Sequence, residues 1–225
     1  MGWVGTNSWA FENNAVLEIK HKVEAQGVKL KDWDIKINYG IKTGFNEAFI
    51  VNGAKKDELI AKDPKNAEIL KPLLRGRDIN KYIPSFQDLW LITTFPSLKI
   101  NIDDYPIIKE HLSSFGVERL EQSGKTFEDG TKSRKKTGNK WFETQDQIAY
   151  WKDFEKPKLV YPNMTMILPF AIDLNGFLHN DKAFHLISED VFWLTAFLNS
   201  KLFRYCFTDN FPPDFPNLLL LKTIS

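Results

Sequence analysis

The chain has little cysteine, no long apolar run and no surplus of charge. Its one cysteine, Cys206, cannot form an intrachain disulfide, which fits a reducing cytoplasm. Cys206 sits in an apolar-aromatic helical pattern, where a buried inert thiol is expected. No apolar run approaches the ~20 residues needed to span a membrane, and "MGWVGTNSWAF" lacks the basic and apolar regions of a signal peptide. Its M-G-x-x-x-T start matches a myristoylation pattern formally, but nothing nearby is lipid-directed. The 30 Lys+Arg against 29 Asp+Glu give a net charge of +1, so bulk electrostatics do not announce a nucleic-acid binder. A locally basic face on a neutral domain stays open.

Catalytic signatures are also absent. "GIKTGFNEAFIV" (40–51) places Lys42 and Thr43 before the second glycine and leads into an expected strand, whereas a Walker loop needs both after it and then a helix. No glycine-rich turn of a dinucleotide or S-adenosylmethionine fold follows a first strand. "NFPPDF" fails the Asn-Pro-Pro-aromatic pattern of amino-methyltransferases, because Phe211 intervenes and Asp214 replaces the aromatic. The four histidines (His21, His111, His179, His185) lack metal-ligand spacing, and no nucleophile elbow exists. Glu18 with "DIK" at 34–36 is a weak match to a nuclease metal site and is set aside.

What is present is a core and two basic clusters. A 43% hydrophobic content with 18 Phe and 7 Trp in 225 residues is enough to bury a substantial interior. Val16, Ile19 and Val23 predict an amphipathic helix over 13–26, closed by Gly27. Ile35, Ile37 and Tyr39 alternate as a strand, and "EAFIVNG" reads as the next, so 40–46 is a hairpin loop or a crossing turn. Two short helical pieces meet at Pro64, "LWLITT" is a strand, and a helix begins near Pro106 with Ile107, His111, Leu112 and Phe115 inward. Residues 122–140 form the longest loop, followed by a helical "IAYWKDF" and strands at "KLVYP" and "TMILPFAID". Asn175-Gly176 predicts a two-residue hairpin, and 191–207 a single final helix broken by the prolines beyond it. Without regular βαβ alternation the fold class is α+β, an irregular mixed α/β arrangement with a small mixed sheet, flanking helices and a C-terminal helix.

The run "KSRKK" brings Lys132, Arg134, Lys135 and Lys136 together, with Lys125 and Lys140 close by. Its functional reading is a phosphate-binding loop; the alternative is a solvated one. "LLRGRDINKY" sets Arg75 and Arg77 around Gly76, suited to phosphates or a guanine edge. The alternative there is an internal salt bridge to Asp78. Trp141 and Phe142 are expected to pack beneath the basic loop.

Six blocks then stand in order: "LKDWDIKINYGIKTGFNEAFIV", "ILKPLLRGRDINKY", "YPIIKEHLSSF", "WFE", "FEKPKLVYP" and "LTAFLNSKLFRYCF". Together they resemble the TaqI-like C-terminal specificity domain of type IIG restriction–modification enzymes and related adenine-specific DNA methyltransferases. The resemblance implies that residues 1–26 are an N-terminal helix and linker from an upstream catalytic domain and 27–225 the target-recognition domain. It implies a double-stranded DNA partner and a methyltransferase domain upstream in the same polypeptide. The fragment itself would be non-catalytic and hold no cofactor. S-adenosylmethionine would serve the parent enzyme, and Mg2+ as well where the parent cleaves DNA. Lys132, Arg134, Lys135, Lys136 and Lys140 would bind phosphate, while Lys42, Thr43, Arg75 and Arg77 would line the face meeting the duplex. The competing reading is a protein-interaction or scaffold module, or the specificity subunit of a multi-chain complex without base readout.

Overall fold

The computed structural model describes residues 32–163 and 168–205, the backbone of 206–210, and scattered positions between 18 and 28. Two four-stranded sheets divide the chain. Strands β1 (Lys36–Tyr39), β5 (Lys158–Pro162), β6 (Ala171–Asp173) and β8 (Ala183–Ile187) form an antiparallel sheet in the order β1-β8-β5-β6. Strands β2 (Ile50–Asn52), β3 (Leu70–Leu74), β4 (Leu89–Ile92) and β7 (Leu178–His179) form the other, in the order β2-β4-β3-β7. The β3–β7 pair is parallel and the rest of that sheet antiparallel. Among the described residues six α-helices flank them: α1 (Asn46–Phe49), α2 (Gly53–Lys62), α3 (Pro106–Ser113), α4 (Val117–Leu120), α5 (Val191–Leu198) and α6 (Lys201–Asn210). The α+β class expected from the sequence is the one observed.

Side-chain alternation along the first sheet separates two jobs. Leu159, Tyr161, Phe184 and Leu186 pack in one cluster with Val191, Leu194 and Leu198 of α5. Val160 and His185, which alternate with them, point away from that cluster; Val160 packs with Ile79 and Ala171. The second core gathers Phe49, Leu59, Leu73, Leu91, Ile108 and Leu112 around the other sheet.

Several local features depend on the tertiary context. The stretch expected to be strand from Glu47 begins as the helical turn α1, because Ala48 and Phe49 bury together against the second core. The connection before it is a crossing: β1 pairs β8 in one sheet and β2 pairs β4 in the other. The turn at Asn175-Gly176 forms, with Gly176 at φ +72, yet it is no hairpin, since β6 and β7 join different sheets. The expected single final helix breaks at Asn199, whose side chain donates to Phe170 O (2.7 Å) and Thr195 O (2.8 Å) and accepts from Phe170 N (3.2 Å). In α3 the fully buried residues are Ile108 and Leu112, with His111 half-buried and Ile107 packed at the edge of the second core. "IAYWKDF" yields only a short 3-10 turn, Trp151–Glu155. Of the helix expected over 13–26, Glu18, His21, Lys22, Ala25 and Gln26 are helical and exposed. Val16, Ile19, Val23, the Cys206 side chain, residues 164–167 and the proline-rich tail lie outside the described residues.

Between the sheets lies a buried polar relay. Asn38 Nδ2 donates to His185 Nε2 (3.1 Å), His185 Nδ1 and His179 Nε2 share a proton at 2.8 Å, and His179 Nδ1 faces Asn180 O (3.5 Å). Phe154 covers both imidazoles, with ring centroids 5.1 and 4.6 Å away. Two neutral rings satisfy every hydrogen in this chain; a further proton on His185 Nε2 would confront the Asn38 amide. Burial accordingly lowers His185 to about 3 and His179 well below its ordinary value. Beside the relay, fully buried Lys158 donates to Asp173 (2.5 Å) and to Phe154 O across the β5–β6 pair.

The unfolded chain binds protons at these histidines below about pH 6.5, and the native pair does not. Unfolding therefore takes up protons, and stability falls as pH drops through that value. The urea midpoint should be lower at pH 5 than at pH 7.5; a midpoint that holds or rises on acidification would contradict the neutral pair.

Candidate nucleic-acid interface

Residues 121–145 form a pinned hairpin. Phe127 N donates to Thr131 O (2.8 Å), Ser133 N to Lys125 O (2.9 Å), Gly124 N to Arg134 O (2.9 Å) and Arg134 N to Glu121 O (3.1 Å). The pin is Arg134. Its guanidinium is buried and donates to Leu120 O (2.7 Å), Thr43 O (2.8 Å), Glu143 O (2.7 Å) and Trp141 O, while lying 5.0 Å over the Phe49 ring. These carbonyls come from the end of α4, the β1–α1 crossing and the returning arm of the hairpin. A planar fork with five donors can serve all four carbonyls at once, whereas an ammonium has only three donors. Burial lowers Arg134 to about 10, partly offset by Glu143, so it stays charged at neutral pH. Gln122 is a second post, accepting from Thr137 Oγ1 (2.7 Å) and donating to Glu143 O (3.1 Å).

Two of the residues expected to touch DNA are thus placed differently from an exposed cationic face. Arg134 is 3% exposed and Thr43 2% exposed, and both are bonded inward. Thr43 Oγ1 donates to Asn46 Oδ1 (2.6 Å) and accepts from Phe45 N (3.2 Å). Lys132, Lys135, Lys136 and Lys140 remain exposed on the hairpin, as do Lys42 on the crossing and Arg77 near β3. Arg75 is half-buried and paired bidentately with Asp78, Nε to Oδ2 and Nη2 to Oδ1 both at 2.9 Å. Phe142 is buried and Trp141 packs edge-on to it at 5.7 Å, beneath the hairpin.

Backbone bonds draw these clusters into one band. Gln145 N donates to Lys42 O (3.1 Å), which sets Asp146 beside Lys42. Asp146 is raised by burial, although Lys42 and Lys135 pull it down, so both cations lie within its field. Ile41 N donates to His179 O (2.8 Å) and Asp181 N to Ile41 O (3.0 Å), carrying the band to Asn180–Lys182. There Asn180 Oδ1 accepts from Gly76 N (3.3 Å), next to Arg77. Gly40 is required at this crossing, because a Cβ would stand 1.9 Å from Asn180 O. Gly44 follows at φ +78, against the Arg134 side chain. Sequence reading missed Lys182 and Asn180, which lie far from either cationic cluster and share no motif with them.

Arg134→Lys should cost about 2 kcal/mol or more, because charge-assisted bonds to buried carbonyls disappear. Trypsin should then cut within the hairpin before the rest of the chain opens. Wild-type urea stability and an uncut hairpin would refute the pin.

Residues 71–222 match the family model described as the TaqI-like C-terminal specificity domain. No curated protein matches the chain. Among solved structures, the type IIL restriction–modification enzyme MmeI, solved in complex with DNA, is 14% identical with a TM-score of 0.47, over 80% of this chain and 22% of that one. The type IIG restriction endonuclease BpuSI is likewise 14% identical, with a TM-score of 0.49 over 88% of this chain and 23% of that one. The chain thus spans less than a quarter of either enzyme. The family match covers well over half of the sequence, and on it the chain belongs to the TaqI-like C-terminal specificity domain family.

Proposed function

We propose that this chain recognises a double-stranded DNA target for a type IIG restriction–modification enzyme, positioning an upstream adenine-N6 methyltransferase domain on it. The observation that carries the reading is the basic band: five exposed lysines (Lys125, Lys132, Lys135, Lys136 and Lys140) on a pinned hairpin, continued by Lys42, Lys182 and Arg77, on a chain whose net charge is only +1. Cations carried on segments tied together by backbone bonds suit phosphates at set spacing, and phosphate contacts fix the register in which bases are read. Family membership supports the same role.

In this reading Lys132, Lys135, Lys136 and Lys140 touch phosphates, and Lys42, Arg75 and Arg77 face the duplex. Thr43 and Arg134 act by holding the hairpin in place. Residues 27–225 make up the recognition domain and 1–26 lead in from the catalytic domain. The methyl donor of the parent enzyme is S-adenosylmethionine, bound upstream, and the enzyme works in the cytoplasm. No helix among the described residues is long and apolar enough to cross a membrane.

One observation favours a protein-interaction role beside this one. Phe192 and Trp193 of α5 are 64% and 53% exposed, with Trp33 stacked on Trp193 at 5.7 Å. Such an aromatic face suits a protein partner, the upstream domain first of all. A chain that fails to shift any duplex at low salt, while Trp193→Ser abolishes a protein contact, would favour that role.

Replacing Lys132, Lys135 and Lys136 together by Ala should weaken duplex binding similarly for every sequence. The slope of log affinity against log salt should flatten by roughly 0.9 for each phosphate that is no longer neutralised. An unchanged slope would remove the hairpin from the interface.

A further inference from the structure

A cleft of about 550 Å3 opens where the two sheets meet, lined by Arg75, Arg77, Ile79, Pro162, Asn180 and Lys182 among others. Its cations are not equivalent. Arg75 is fixed by its bidentate pair with Asp78. Arg77 makes no ion pair among the described residues and is exposed. Lys182 has only Asp181 for company, at 3.5 Å. Two cations therefore border the cleft with little or no internal neutralisation.

The side chain between them is more telling. Asn180 is only 9% exposed. Its Oδ1 is occupied twice over, by Gly76 N and Lys182 N, each at 3.3 Å. That fixes the amide orientation and turns Nδ2 to the other side, where it donates to no partner among the described residues. Nδ2 keeps solvent access, and as a donor without a protein acceptor it can serve a ligand entering the cleft. The walls beside it, Ile79, Pro162 and Pro169, are apolar. An anion with an apolar body attached meets both halves of this lining, which a bare ion does not.

We infer that this cleft is a preformed seat for one phosphodiester of a nucleic-acid backbone, gripped by Arg77, Lys182 and the Asn180 amide, with the sugar against Ile79 and the prolines. Arg75 acts as a positioning residue: with Asp78 it shapes the turn that presents Arg77. The anion chemistry stands on the cleft itself, and the choice of DNA as the source of the phosphate rests on the function proposed above. The seat lies at the opposite end of the basic band from the hairpin lysines, so it would fix a second point of the DNA backbone and thereby the angle of approach.

Asn180→Asp tests it. Aspartate keeps an oxygen for Gly76 N and Lys182 N and replaces the free amide donor by an anionic oxygen facing the cleft. The chain should fold as before, by circular dichroism and urea midpoint, and bind a short duplex roughly ten- to hundred-fold more weakly, the scale of a missing charge-assisted hydrogen bond. Arg77→Gln and Lys182→Gln should each weaken binding less, and alike for all sequences. If Asn180→Asp does not fold, the Arg77→Gln, Lys182→Gln double variant carries the same comparison, because both side chains are exposed. Undiminished duplex binding by the folded variant would overturn the seat and leave DNA recognition standing. Alternatively, the parent chain binds no duplex while its Gly76 and Asn180 amide resonances shift with inorganic phosphate, and the variant's do not. That result would keep the anion seat and overturn the nucleic-acid source. Neither duplex binding nor a phosphate shift would overturn both.

Discussion

A narrow crossing between the two sheets of this domain sets the positions of several of its cations. At Gly40–Thr43 the chain leaves the first sheet and passes against His179–Asp181, where the chain is itself passing between sheets in the other direction. Ile41 bonds on both sides of that contact, to His179 O at 2.8 Å and from Asp181 N at 3.0 Å. No side chain fits at residue 40, since a Cβ would fall within 1.9 Å of Asn180 O. Lys42 is one residue beyond the contact and Lys182 one residue beyond Asp181, so a shift in the crossing would move both.

Two buried polar arrangements hold this geometry, in opposite charge states. The His179–His185 relay is neutral and closes the space between the sheets, with each hydrogen assigned a partner. Arg134 keeps its charge and gathers carbonyls from three segments, tying the hairpin to Thr43 on the crossing. Buried groups of this kind add rigidity when they are hydrogen-bonded, and every ring and guanidinium nitrogen here has a partner. The cations of the band consequently rest on a frame whose loops are not free to rearrange, which suits a surface that must match phosphates at fixed spacing.

Local features are legible in the sequence and distant pairings are not. Pro64 divides two helical pieces, Pro106 begins a helix and Leu89–Ile92 is a strand, because each depends on neighbours a few residues away. Trp141 and Phe142 pack under the hairpin as their apolar character suggests, and the Arg75–Asp78 ion pair, three residues apart, is equally local. Arg134 escapes a local reading because a charge run reads as solvated, while its partners at residues 43 and 120 are invisible to any short window. The Asn175-Gly176 turn is legible but the pairing of its strands is not, since turn chemistry carries no information about which sheet receives each arm. Asn180 and Lys182 carry no pattern at all; only the meeting of the two sheets gives them a role.

Hydrogen–deuterium exchange of this chain, with and without a short duplex at low salt, tests most directly whether hairpin, crossing and seam form one DNA-facing surface. Slowed exchange over 121–140, 75–79 and 180–182 together, with little change over 191–205, is the predicted result. Slowing confined to the aromatic helices, or none anywhere, would contradict a single surface.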